Sequence, residues 1–286
     1  MAQSIKLLHD LTKPRIALMV ALTTALGYFL TGREFLTQKM LITVVAAALA
    51  SCSASIFNQI IEKETDGLMD RTRLRPLPQK KINIYLSWVL AVFLALISSF
   101  MLWHFVNLLS MAITLCTIIL YAWVYTPLKR KTHLSTLIGA IPGAFPPVIG
   151  WVAANNQLDT GALIVFAILF LWQMPHFIAI AWMYAEDYQK AGFPIVTSLD
   201  PQRNFTALQA VLYAAALVPV SLMTTLYKLT GKIYFFGALL LGVYFFYECI
   251  ILHQKKTKQQ AKKVLLASVV YLPILFLLII VDAVFS

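Results

Sequence analysis

Residues 58–78 read NQIIEKETDGLMDRTRLRPLP, an apolar run that breaks into a burst of carboxylates and then a burst of cations. Asn58, Glu62, Asp66 and Asp70 recur every four residues. On an α-helix each step of four advances about 6 Å and drifts only about 40° around the axis. The spacing predicts one helix face carrying a column of oxygens. Like charges stacked this way repel, whereas a hard divalent cation such as Mg2+ reverses the sign, because it favours carboxylate and amide oxygens and keeps water or substrate phosphate in its remaining positions. Arg71, Arg73 and Arg75 follow, with forked donors suited to phosphate oxygens. The stretch reads as metal plus diphosphate; a solvated helix end with self-neutralising charges would share its composition.

Working outward, the 286 residues are 60% hydrophobic and only 12% charged, with a mean hydropathy of +0.78. A soluble domain has about a quarter charged residues, so the chain is an integral membrane protein, all-α and polytopic. A net charge of +11 would suit nucleic acid, but most of it lies in short connections between apolar runs, which is membrane topology. Cys52, Cys116 and Cys249 sit in apolar runs without paired spacing and read as packing residues. No removable signal or transit peptide is expected in the first fifteen residues.

Apolar segments long enough to cross a bilayer, about 20 residues each, fall at roughly 15–32, 40–61, 84–104, 106–126, 134–153, 161–185, 205–227, 232–252 and 264–285. Nine spans in a single domain covering 1–286 are expected. The third and fourth runs nearly fuse at His104–Asn107, and the charges arbitrate. With nine helices and the amino terminus cytoplasmic, all but Arg33, Lys39, Lys228 and Lys232 of the 23 Lys and Arg residues face the cytoplasm. The carboxyl terminus is then outside. Glu62, Glu64, Asp66, Asp70, Glu186, Asp187 and Asp200 share the cytoplasmic side with the arginine burst and with LKRK at 128–131.

The sixth span, LWQMPHFIAIAWMYAEDYQKAGFPIV, places Gln173, His176 and Asp187 near one helical face, since eleven residues is almost a whole number of turns. Pro175 is expected to loosen the helix one turn above His176. A histidine and a glutamine inside a membrane span are costly unless they face a cavity or a partner; an interhelical hydrogen bond would also satisfy them. Glu186, Asp187 and Lys190, with Tyr184 and Tyr188, form a second candidate half-site for metal and phosphate.

Asn58 with acids at four-residue spacing, DRTRLRPLP, YTPLKR at 125–130, and WQMPHF leading into YAEDYQKAGFP together resemble the UbiA-type intramembrane prenyltransferases, over nearly the whole chain. Within that family the resemblance is to the members that farnesylate haem. It implies nine helices around a central cavity near the cytoplasmic face of the cell (inner) membrane. Two Asp-rich motifs would bind an isoprenoid diphosphate through Mg2+. Glu62 stands where many relatives have Asp, and the second motif is thinner than their two-aspartate form. Carried onto this chain, the resemblance implies Asn58, Glu62, Asp66, Asp70 and Asp187 as metal ligands. Arg71, Arg75, Lys129, Arg130 and Lys190 would hold the diphosphate, and His176 and His133 would contact haem. Asn58, Glu62, Asp66, Arg71 and Asp187 are the expected catalytic set. Haem B and farnesyl diphosphate would be the substrates, membrane lipid the surroundings, and haem A synthase or a terminal oxidase the recipient of the product. Another acceptor, a quinone precursor or chlorophyllide, is the alternative within the family. A transporter would instead place charges near the bilayer midplane, not at helix ends.

Overall fold

The computed structural model describes residues 2–32 and 36–285; Arg33, one of the cations expected on the outer side, lies outside the described residues. Every regular element described is helical. In chain order these are α1 (Ala2–Thr12), α2 (Pro14–Phe29), α3 (Gln38–Asp66), α4 (Ile84–Phe105) and α5 (Leu108–Ile119). A π-helical turn (Leu120–Tyr125) leads from α5 into α6 (Thr126–Leu128), followed by α7 (Ser135–Asn155), α8 (Thr160–Met183), α9 (Ala185–Lys190) and α10 (Val196–Leu199). Three long helices close the chain: α11 (Asn204–Leu226), α12 (Lys232–Lys255) and α13 (Lys258–Phe285). Among the described residues eight helical stretches are long and apolar enough to span a bilayer, and the shorter apolar α2 supplies the ninth expected span. At 16 residues, α2 reaches about 24 Å.

The doubtful turn between the third and fourth runs is real. Asn107 ends the ambiguity: its Oδ1 caps α5 by accepting from Ser110 N at 2.7 Å, while its Nδ2 donates to Val152 O at 2.9 Å on α7. Thr37, Asn83 and Asp159 cap α3, α4 and α8 in the same manner.

The helices form two groups. Helix α2 packs on α3 and α7, and α3 on α4, whereas α8 packs on α11 and α13, with α12 between these two; the α7–α8 seam joins the groups. Without water to drive association inside a bilayer, such seams rely on close approach and polar bonds. Ser53 Oγ donates to Ala91 O and Ser98 Oγ to Ala46 O, both at 2.7 Å, and so couple α3 to α4 at two levels. At the α2–α7 seam a Cβ on Gly150 would run into the Thr24 carbonyl oxygen, so only glycine permits that approach. Phe93, Leu96, Phe236 and Leu240 point outward as a lipid-facing belt.

Two expectations about register fail. Helix α3 stops at Asp66, with Gly67 as its cap, because glycine weakens a helix and Thr72 Oγ1 captures the Asp66 carbonyl at 2.8 Å. Asp70 therefore leaves the oxygen column and lies in the following turns. Helix α8 ends at Met183, and its break at Tyr184 puts Asp187 on the separate helix α9, off the face that carries His176. Helix α8 runs on through Pro175.

Candidate diphosphate and metal site

The last two turns of α3 carry Asn58, Glu62 and Asp66, all buried. Each is met by a cation from a different part of the chain. Lys129, just beyond α6, places Nζ 2.8 Å from Glu62 Oε1. Arg75 folds back from the turns after α3 and donates from Nη1 to both oxygens of Asp66, at 2.8 and 2.7 Å. Lys13, between α1 and α2, donates from Nζ to Asn58 Oδ1 at 3.3 Å.

The helix ends explain why these groups converge. The π-helical turn widens the chain before Pro127 and lets Thr126 donate to Tyr121 O at 2.8 Å while accepting from Asn58 Nδ2 at 3.0 Å. The amide of Asn58 is thus oriented from behind, with its oxygen toward Lys13. Lys129 lies over the Tyr125 ring, 4.6 Å from its centroid, and Tyr125 in turn fills the space that a Cβ on Gly139 would take. Arg130 donates more weakly to Thr65 Oγ1 at 3.4 Å.

Lys13 is the residue that sequence reasoning passed over, counted there only as a topological charge. Its signal is the following Pro14, which fixes the first residue of α2 and leaves Lys13 to make the turn. It does so at φ 51°, a left-handed conformation that non-glycine residues rarely hold, and the turn sends its side chain inward. Burial, with repulsion from Arg75 and Lys129, pushes its pKa down to about 7. An anion placed beside it would favour the protonated amine.

The second acidic segment is built differently. Asp187 Oδ2 accepts from the backbone N of Arg71 at 3.3 Å, and the Arg71 guanidinium lies over Tyr184 and Tyr188, 5.2 and 5.9 Å from their ring centroids. Lys190 Nζ reaches Asp70 Oδ2 at 2.6 Å, and Arg73 stands 3.6 Å from Asp70. The Lys190 hydrogen bond and charge hold the Asp70 carboxyl below the usual carboxylate range. These contacts clasp the turns after α3 to α9. They lie in the open, with the Asp70 and Lys190 side chains 57% and 54% exposed.

Among the described residues no three Asp, Glu, His or Cys side chains stand together as a preformed metal cage. The donor set still fits Mg2+: two buried carboxylates one turn apart plus an amide oxygen are hard ligands, and Mg2+ needs only one or two carboxylates when phosphate and water complete its octahedron. Beside this column lies a small cavity lined by Tyr125, Lys129, Phe177, Tyr188 and Phe193. An adjoining groove shares its wall at Thr136, Phe177 and Ala181 and reaches His133 at its rim.

His176 takes no part in the carboxylates' ion pairs. It stacks on Trp172 and bonds through Nδ1 to Ser268 Oγ on α13, at 2.8 Å. Gln173 turns the other way and donates to Ala140 O at 2.8 Å on α7.

Residues 20–278 match the UbiA prenyltransferase family. A protoheme IX farnesyltransferase of Solibacter usitatus (strain Ellin6076) is 41% identical over 283 residues, covering 96% of this chain and 97% of the relative. One from Salinibacter ruber (strain DSM 13855 / M31) is 38% identical over 273 residues, with 95% and 96% covered. Among solved structures, a digeranylgeranylglyceryl phosphate synthase superposes with a TM-score of 0.83 at 18% identity, covering 99% of this chain and 100% of that one. A UbiA homolog from Archaeoglobus fulgidus bound to GPP and Mg2+ gives a TM-score of 0.67 at 15% identity, with 96% and 99% covered.

Proposed function

Because the chain belongs to the UbiA prenyltransferase family, we propose that it transfers the farnesyl group of farnesyl diphosphate to a vinyl group of protohaem IX, giving haem O and diphosphate. The observation that carries the transfer chemistry is the pairing of Asn58, Glu62 and Asp66 with Lys13, Lys129 and Arg75 at one buried helix end. The acceptor is inferred from the relatives, protoheme IX farnesyltransferases matched over nearly their full length. The whole chain acts as one prenyltransferase domain.

In the reaction the allylic C1–O bond of farnesyl diphosphate breaks and the diphosphate leaves with the bonding electrons. The terminal vinyl carbon attacks C1, and water captures the resulting cation on the other vinyl carbon and loses a proton, leaving a hydroxyethylfarnesyl group. Asn58, Glu62 and Asp66 would hold Mg2+, with Asp70 and Asp187 as ligands from the second segment, and the ion would supply charge neutralisation to the leaving group. Lys129, Arg75 and Lys13 exchange their carboxylate and amide partners for diphosphate oxygens, and Arg71, Arg130 and Lys190 add donors at the rim. Because the buried cations are already fixed before substrate arrives, little reorganisation is needed as charge develops. Tyr125, Phe177, Tyr188 and Phe193 line the neighbouring cavity and keep water from the cation until the carbon–carbon bond has formed.

His176 ligates the haem iron, and His133, exposed at the groove's rim, meets a propionate. The site faces the cytoplasm, with the amino terminus on that side and the carboxyl terminus across the membrane. A haem A synthase or a terminal oxidase receives the product. The test offers haem B and 4-hydroxybenzoate in parallel to the purified protein with farnesyl diphosphate and Mg2+, and reads products by mass. Prenylated haem alone is expected; prenylated hydroxybenzoate with unchanged haem would overturn the acceptor assignment.

A further inference from the structure

His176 lies on α8 with its ring stacked on Trp172, one turn earlier, the centroids 5.2 Å apart and the planes 22° from parallel. Trp172 Nε1 donates to the main-chain oxygen of Ser268 at 2.9 Å, and the Ser268 hydroxyl lies 2.8 Å from His176 Nδ1. The same hydroxyl oxygen is 2.6 Å from Leu265 O, one turn back on α13. A carbonyl oxygen has no hydrogen of its own, so two oxygens this close require the hydroxyl proton between them. A serine hydroxyl has one proton. Toward His176 it offers only a lone pair.

That constraint decides the tautomer. Nδ1 must carry the hydrogen and donate it to Ser268, which leaves Nε2 of the neutral ring as the nitrogen with a free lone pair. Among the described residues Nε2 has no hydrogen-bond partner. Ring rotation is stopped by the stack on one side and the hydrogen bond on the other. Metal-ligating histidines are held in this way, with the second ring N–H bonded to an oxygen that fixes tautomer and orientation.

We propose that Ser268 is the positioning residue of the haem site: by accepting from His176 Nδ1 it fixes the tautomer that presents Nε2 to the haem iron. The inference rests on the reading that His176 ligates haem, and extends it to a residue on the last helix that no sequence motif marked. Trp172 assists by holding both partners, the imidazole through its ring and Ser268 through its indole N–H. Haem binding thereby becomes coupled to the α8–α13 seam, which lies apart from the carboxylates of α3.

The test titrates ferric haem B into the purified full-length protein in nanodiscs and follows the absorption spectrum of the imidazole-ligated iron, with farnesyl diphosphate binding measured in parallel. His176→Ala is expected to lose the ligated spectrum; its persistence would overturn the underlying haem reading. Ser268→Ala is expected to weaken haem binding by about 10–100-fold and to reduce the ligated fraction, while farnesyl diphosphate binding stays as in the wild type. Ser268→Thr, which keeps the hydroxyl, is expected to restore both. If His176→Ala abolishes ligation and Ser268→Ala leaves affinity and spectrum unchanged, the Ser268 proposal is overturned while the His176 reading stands. Equal loss of both ligands in Ser268→Ala and Ser268→Thr would also overturn it, by reducing Ser268 to a packing residue.

Discussion

The two acidic segments face the same end of the molecule but differ in construction. Asn58, Glu62 and Asp66 are built into a long helix, are buried, and each has a cation within hydrogen-bonding reach. Asp187 sits on a six-residue helix, and its described partner is one backbone N–H; the nearby Asp70–Lys190 pair lies in the open. The first segment is held by buried pairs, whereas the second is held by exposed contacts on a short helix. Buried pairs are costly to break because the survivor is left uncompensated, by about 3–5 kcal/mol. Exposed pairs contribute about 0–1 kcal/mol in general and are screened by salt.

Substitutions in the two segments should therefore separate. Asp66→Asn is expected to have the largest effect, a fall in kcat of about 100–1000-fold with the protein still folded by thermal melting; retained turnover would remove Asp66 from the metal site. Lys13→Ala comes next, with the loss of one charge-assisted bond raising the KM for farnesyl diphosphate by about 10–100-fold and leaving haem binding unchanged. Gly139→Ala pushes on the Tyr125 ring that underlies Lys129, so about 1–3 kcal/mol of destabilisation from overpacking is expected, read as a lowered melting temperature. Asp187→Asn should cost less activity than Asp66→Asn, since its protein-held geometry rests on a single contact. Smallest is Lys190→Ala, expected to change turnover by no more than about twofold and to lose even that difference at high salt. A reversed order of Asp66→Asn and Asp187→Asn would mean that the second segment, not the first, anchors the metal.

Membrane class and span count were legible because hydropathy integrates over about 20 residues at a time, so even the fused third and fourth runs resolved once charge placement was added. The oxygen face at 58, 62 and 66 followed from the four-residue period. Its fourth member did not, because a single glycine at 67 and the Thr72 hydroxyl end the helix, and tertiary capture of a carbonyl leaves no periodic trace. Arg75 was legible as a phosphate donor in the arginine burst, and Lys129 came from the family resemblance, but their pairing with Glu62 and Asp66 depends on how three chain segments meet. Lys13 was visible only as a charge before a proline. The link from Asp187 to His176 failed for a local reason: the chain breaks at Tyr184, and the eleven-residue period carries no meaning across the break. Ser268 lies in an apolar run 92 residues from His176 and had no sequence signal at all.

The most direct test of the account is the mass of tetrapyrrole recovered after the purified protein is incubated in detergent with haem B and farnesyl diphosphate, with Mg2+ or with a chelator, for the wild type and Asp66→Asn. The account predicts a haem heavier by a farnesyl group and a hydroxyl only for the wild type with Mg2+. The same product in the presence of chelator, or from Asp66→Asn at the wild-type rate, would contradict it.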